Sequence, residues 1–298
     1  MGMPPRADRE AALDTELLRE LDALRRRLEI RARSRGVGDR AAKRRGGASE
    51  FIEHRGYSPL DDLRRVDWAA YARTGDPVVK VFRAEEDVVI RVLCDASASL
   101  GFGDPRKVEM ARKIAAAIGY LALSRGETAE IYETKDGETI ARGASRGRAG
   151  ALSFVRRAAG VEWSGTTNLG RAIETLAGKT KRPGMIALVS DFWDEGDIPR
   201  ALSRAAALGH DVALVHIVAP EDTEPNVFGD VTLEDAETGA VVELTVDETT
   251  LRAYRERFET HCRNLRGAAK KLEGSYVRAR TDENLLDVMR RFVARSID

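Results

Sequence analysis

The chain has little of what a secreted scaffold, a zinc protein or a membrane protein requires. Only two of its 298 residues are cysteine, Cys94 and Cys262, too few for a disulfide framework. Cys94 lies inside an apolar run, where a small buried hydrophobe is expected. The four histidines, His54, His210, His216 and His261, show no helical i,i+4 pairing and no cysteine partner, so a zinc site is not expected. No stretch approaches about 18 apolar residues, and the first residues lack a signal-type apolar segment. A soluble cytoplasmic protein without a membrane span is the expectation. Net charge is absent too: 49 Lys and Arg stand against 49 Asp and Glu, so bulk charge selects no partner.

What is present is a chain 43% hydrophobic and 33% charged, long enough for one large domain with an appendage and heavily solvated outside. Residues 8–34 read as a helix, with Leu17, Leu21, Leu24 and Leu28 spaced on one face. That stripe packs either on its own domain or on a helix of another chain. Between Arg25 and Arg45, ten basic residues face Glu29 and Asp39, a local net of +8. Gly36, Gly38, Gly46 and Gly47 make that stretch read as a linker, so the first 45 residues are dispensable for folding unless the leucine stripe packs back. Three regions follow: 1–48, an amphipathic helix and basic linker; 49–86, aromatic-bearing and charge-rich; and 87–298, where strands and helices alternate.

The alternation predicts strands over 87–95, 128–134, 185–190, 211–218 and 276–278, with helices over 105–124, 149–159, 169–176, 198–208, 249–272 and 284–294. A short return strand is expected at 138–141. Strands alternating with helices imply an α/β fold, a doubly wound, mainly parallel sheet covered on both faces. Glu237-Thr238-Gly239, between apolar segments 231–233 and 241–246, reads as a hairpin inserted on that core. In 50–86, a strand at 78–82 and a helical turn at 64–71 are expected.

Open parallel sheets bind ligands outside the carboxyl ends of their strands. Three polar segments fall there: Asp95-Ala96-Ser97-Ala98-Ser99, Gly165-Thr166-Thr167-Asn168-Leu169, and Ser190-Asp191. Hydroxyls and carboxylates are the donors a hard cation such as magnesium takes, in near-octahedral geometry with several waters kept. Alternation through 95–99 would turn Asp95, Ser97 and Ser99 the same way. No spare carboxylate is evident, which leaves a coordination position open. The set Asp95, Ser97, Ser99, Thr167 and Asp191 resembles the metal-ion-dependent adhesion site of von Willebrand A domains, a Rossmann-like fold. That resemblance implies Mg2+, with Mn2+ or Ca2+ as substitutes, and a partner's acidic side chain in the open position. It also implies Thr167 rather than Thr166, which directly precedes the Asn168-Leu169-Gly170 helix start; Asp194 is the alternative to Asp191. The simpler reading is that Asp95 and the serines only cap the next turn.

Upstream, Glu50-Phe51 and the run from Arg55 through Pro59, Asp61, Asp62, Arg64, Arg65 and Asp67 to Trp68 resemble the signature of the bacterial domain-of-unknown-function family fifty-eight, over about residues 45–295. Leu60 stands where that signature has a glycine, and a charged helix stands where many relatives carry membrane helices. Relatives couple this signature to a von Willebrand A-like domain, and their genes accompany those of MoxR-type AAA+ ATPases. The resemblance implies a chaperone-like adaptor that binds a client's acidic residue and presents it to such an ATPase for remodelling or maturation. Asp61, Asp62, Arg64, Arg65 and Asp67 read as hydrogen-bonding and ion-pairing residues, with Trp68 and Tyr71 as anchors, or else as a catalytic carboxylate cluster. Two rival functions remain: nucleic-acid binding through 25–45, where aromatics for base stacking are scarce, and a metal-dependent hydrolase. Phosphate-loop, dinucleotide and nucleophile-elbow motifs fail in detail: Ile173 and Arg106 replace needed glycines, and Ser97 and Ser99 lack flanking glycines and a histidine base.

Overall fold

A computed structural model of the chain describes residues 17–27, 50–59, 61–83, 88–101, 105–180, 182–194 and 196–295. The described residues fall into two compact units, 17–26 with 88–295, and 27–83. The basic segment beyond Arg27, its glycines and Leu60 lie outside the described residues.

The smaller unit is a hairpin of strands β1 (Glu50–Gly56) and β2 (Val78–Arg83), paired antiparallel, with a helix Trp68–Thr74 between them. Strand β1 was not expected, because Glu50, Glu53, His54 and Arg55 hide its alternation. The acidic run works by capping. Asp62 accepts from Arg64 N, and Asp67 accepts from Ala69 N and Ala70 N at the start of the helix. Asp61 ties Arg55 at 2.6 Å and Ser58 N at 2.8 Å, and Asp67 meets His54 at 3.0 Å. Within this unit Trp68 and Tyr71 are 60% and 43% exposed and touch edge to face, with centroids 6.1 Å apart.

The larger unit is built on a six-stranded sheet. Its strands are β3 (Val89–Asp95), β4 (Thr128–Lys135), β5 (Glu138–Arg146), β6 (Met185–Ser190), β7 (Asp211–Val218) and β10 (Ser275–Arg280), in the order β10-β7-β6-β3-β4-β5. All neighbours are parallel except β5, which returns antiparallel on β4. Strands β3, β6 and β7 are near-continuous apolar runs because both of their faces are covered. Strand β5 is longer than expected because it is an exposed edge that needs no apolar run. The turn into it, Asp136-Gly137, has both residues at positive φ, 52° and 74°, the twist that two-residue hairpins favour.

Helices Pro105–Ser124, Ala151–Ala159 and Leu285–Arg295 form one layer; Leu169–Lys179, Ile198–Ala207 and Glu248–Lys271 form the other. The second layer closes over Leu93, Leu188, Val212 and Leu214 of the sheet. Strands β8 (Gly229–Glu234) and β9 (Val241–Val246) make the separate hairpin. The α/β, doubly wound, mainly parallel class is therefore what the chain adopts.

The amino-terminal helix, over 17–27, belongs to this unit. Leu21 and Leu24 are buried, and the Tyr120 hydroxyl donates to Asp22 at 3.0 Å. Leu21 and Leu24 of the stripe thus pack back onto their own domain; Leu28 lies outside the described residues. Leu21→Ala should lower unfolding free energy by about 2–5 kcal/mol in urea titration, the usual loss for a buried leucine. Tyr120→Phe should cost about 1 kcal/mol. Wild-type midpoints for both variants would mean that the helix does not hold the fold.

Candidate functional site

Chain reversal creates the site. From β3 the connection to β4 runs one way along the sheet, whereas β6 and β7 lie on the other side, so the crevice opens between the ends of β3 and β6. Register does the rest. Cys94 pairs with Val189, which sets Asp95 beside Ser190 and then Asp191.

Asp95 is 1% exposed, and its carboxylate is held from two sides. Oδ1 accepts from Ser97 N at 3.0 Å, and Oδ2 accepts from the Ser190 hydroxyl at 2.5 Å. Ser190 also accepts from Phe192 N at 2.8 Å, so this one hydroxyl links both strand ends. Burial pushes the Asp95 carboxyl above the usual range, opposed by hydrogen bonding from Ser190 and Ser97 and by the nearby Thr167 hydroxyl. Ser97 and Ser99 do not reach the crevice by strand alternation, since Ala98 already begins a short helix, Ala98–Gly101. A turn brings them together instead, their hydroxyls 2.8 Å apart.

Thr167 arrives on a loop stitched to the same crevice. Ser164 N donates to Ala96 O at 2.8 Å, Ala98 N to Gly165 O at 2.9 Å, and Asp136 N to Thr166 O at 2.7 Å. Gly165 has φ 83°, and a Cβ there would fall 2.2 Å from Asp136 Oδ1, so only glycine serves. Thr166 is exposed and gives its N–H to Asp136, whereas the Thr167 hydroxyl is buried and, though near enough to favour the charged Asp95 carboxylate, meets no partner in hydrogen-bond geometry. Asn168 caps the next helix through Arg171 N.

Asp191 is also 1% exposed. Burial first, then the charge of Asp95, raises its pKa to about 7, with Lys107 opposing. Its Oδ2 lies 3.6 Å from Lys107 Nζ and accepts no hydrogen bond. Lys107 leans more closely on Asp222, at 2.9 Å. Asp194, the alternative to Asp191, is already used: it accepts from Leu169 N and from Gly196 N. Phe192 turns at φ 56°, an uncommon conformation for a bulky residue, and is wholly buried. Two imidazoles brace that turn. His216 meets the Asp191 backbone and Tyr276 OH, and burial drives its pKa down to about 3, so it is neutral. His261 meets the Phe192 backbone and stacks on Trp193, with centroids 5.2 Å apart.

Sequence reasoning missed three contributors. Ser190 was named only beside Asp191 in its segment, Glu237 only in the hairpin turn, and Lys107 was not singled out. Glu237 Oε2 accepts from Thr167 N at 3.2 Å, so a carboxylate from the β8–β9 turn does stand at the crevice. In charge, Asp95, Asp191 and Asp222 against Lys107 give 3 − 1 = 2 uncompensated negative charges if all are ionised. Asp95, Ser97, Ser99, Thr167 and Asp191 could therefore hold one divalent cation. The buried orphan oxygens Thr167 Oγ1 and Asp191 Oδ2 fit such a group. Among the described residues, no three His, Cys, Asp or Glu side chains form a metal set by themselves, so hydroxyls would have to take part.

A family model described as Protein of unknown function DUF58 matches residues 53–267. The chain belongs to the DUF58 family. An uncharacterised protein of Mycobacterium tuberculosis strain H37Rv is 33% identical over 299 residues, covering 92% of this chain and 89% of its own. One of Mycobacterium avium is 30% identical over 126 residues, 42% of this chain and 74% of its own. Among solved structures, a von Willebrand factor type A protein from Catenulispora acidiphila gives a TM-score of 0.46 at 15% identity, over 74% of this chain and 43% of its own. BatB from Bacteroides thetaiotaomicron gives 0.43 at 16%, over 71% and 100%. In this DUF58 chain the fold rests on its own strand order. The match begins at Glu53, within the capped acidic hairpin, and so takes in Asp61, Asp62 and Asp67.

A carboxyl whose folded pKa stands above its unfolded value binds its proton more tightly when folded. Without metal, Asp191 therefore adds stability below 3.8, and that contribution is lost as pH climbs towards about 7. In chelator, wild-type urea midpoints should fall across this window relative to Asp191→Asn, which has no such group. Parallel profiles would show that the Asp191 carboxyl is not held as described.

Proposed function

We propose that this DUF58 chain is a metal-dependent protein-binding module, working as an adaptor rather than as a catalyst. The observation that carries the reading is the convergence of two fully buried carboxylates, Asp95 and Asp191, with the buried unpaired Thr167 hydroxyl at the strand switch point. Burying like charges side by side is costly, and such an arrangement persists where something offsets it. A magnesium ion would do so with the oxygen donors present, using Ser97 and Ser99 beside the acids. Manganese is an acceptable substitute; calcium, which prefers more ligands at longer distances, is a poorer one.

With five protein oxygens, such an ion keeps room for an acidic side chain from outside. The partner in this reading is a client protein donating an aspartate or glutamate. A MoxR-type AAA+ ATPase, which the family resemblance supplies, would remodel or mature that client. Among the described residues no helix is long and apolar enough to cross a membrane. The residues that would bind nucleic acid in the rival reading lie mostly outside the described ones. For a hydrolase, the His216 imidazole behind Asp191 is buried and neutral and spends its ring on Tyr276 and the strand end, so it is badly placed as a base.

Two outcomes are expected. In thermal melts, magnesium at a hundredfold over its Kd should add about 2.7 kcal/mol to wild type, and Asp95→Ala should abolish the response. Equal responses would remove the site. In native-lysate pull-downs, proteins captured by wild type with magnesium should be lost both with chelator and with Thr167→Ala, the AAA+ ATPase among them. Capture that survives both would place recognition on another surface.

A further inference from the structure

The β8–β9 hairpin, expected only as an insertion on the core, reaches the crevice with its turn. Asp235 stiffens that turn: its Oδ1 accepts from Glu237 N at 3.0 Å, from Thr238 N at 2.7 Å and from the Thr238 hydroxyl at 2.8 Å. Gly239, at φ 68°, completes it with a hydrogen bond to Asp235 O at 2.8 Å. The turn is thus a preformed knuckle whose projecting side chain is Glu237.

Where that side chain ends is unusual for a turn. Oε2 accepts the Thr167 N–H, 70 residues distant in sequence, while Oε1 is buried and has no hydrogen-bond partner. A glutamate serving only as a tie to Thr167 would leave its second oxygen in water, as the neighbouring Glu234 does on the exposed hairpin. Burying a carboxylate oxygen unpaired is expensive unless something meets it. Two more orphan oxygens, Thr167 Oγ1 and Asp191 Oδ2, stand in the same crevice, and Asp191 is itself almost wholly buried. The Ser97 and Ser99 hydroxyls lie near enough to favour the charged form of Glu237, but neither meets Oε1 in hydrogen-bond geometry.

Resting on the metal-site reading above, we propose that Glu237 is the chain's own acidic ligand for the cation, occupying the position a partner's carboxylate would take. The hairpin is then a cover that the cation closes and a partner's acid must displace. Charge makes the cover reversible. Two uncompensated charges already balance a dication, so Glu237 adds a third that is held only locally. Without the cation it faces Asp95 at close quarters and is repelled. The partner class that follows is an acidic segment able to compete with a tethered glutamate, aided by the apolar side chains Leu233, Val241 and Val242 that the hairpin exposes.

Calorimetric titration with Mg2+ and amide hydrogen exchange, on the full chain, test this together. Wild type should bind Mg2+ and show slowed exchange across 229–246 and at 95–99. Glu237→Gln should bind at least about tenfold more weakly, in the range seen when supporting ligands are lost. Its 95–99 segment should still slow at saturation, but its hairpin should not. Water-proton relaxation by bound Mn2+ should rise in Glu237→Gln, because a coordination position passes to exchangeable water. Glu234→Gln, on the same hairpin, should behave as wild type. Unchanged affinity and unchanged hairpin protection in Glu237→Gln would overturn the inference while leaving the metal site standing. Wild type that binds no Mg2+, or binds it unaffected by Asp95→Ala, would overturn both.

Discussion

Two carboxylates that sit side by side out of water set the terms for the rest of this molecule. Asp95 ends one parallel strand and Asp191 follows the last residue of its neighbour, and neither is solvated. The groups that surround them are arranged to keep them there. Ser190 spans the gap with a hydroxyl that donates to one acid and accepts from the backbone beyond the other. Lys107 lends one positive charge, drawn also towards Asp222. The turn after Asp191 passes through a left-handed Phe192, a conformation that persists only when packing over-determines it. Here that packing is His216, His261 and Phe258 beneath the turn. Sheet, caps and aromatic floor all bear on the position of a few oxygens.

Much of this was legible before any coordinates. The runs at 89–95, 185–190 and 211–218 are apolar because they are central, and centrality makes their reading as strands unambiguous. The polar segments near their ends could be picked out from the sheet, but naming Asp95, Ser97, Ser99, Thr167 and Asp191 as one set came from the resemblance to the von Willebrand A metal site. Thr167 was preferred to Thr166 on the resemblance's helix-start pattern; in the structure its hydroxyl is the buried one of the two.

What stayed hidden has one physical cause: contacts between residues remote in sequence leave no local pattern. Glu237 looks like any turn glutamate, because nothing in Glu237-Thr238-Gly239 encodes a hydrogen bond to Thr167. Lys107 is one of several basic residues on an amphipathic helix. The route of Ser97 and Ser99 was misread, since alternation assumes an extended chain and the backbone turns at Ala98 instead. Strand β1 was missed because its polar residues, paired only with β2, give no run. In the acidic signature the hydrogen-bonding role of Asp61, Asp62 and Asp67 was readable from their turn and cap positions, but the exposure of Trp68 and Tyr71 was not.

If one divalent cation is what offsets the buried acids, it binds among these oxygens. A crystal grown or soaked with manganese, phased for its anomalous signal, tests that most directly. A single strong peak is expected at the switch point, about 2.0–2.3 Å from donors among Asp95, Ser97, Ser99, Thr167 and Asp191, near the distances hard cations adopt. A manganese peak elsewhere on the chain, with this crevice filled only by the Lys107 ammonium or by water, would contradict it.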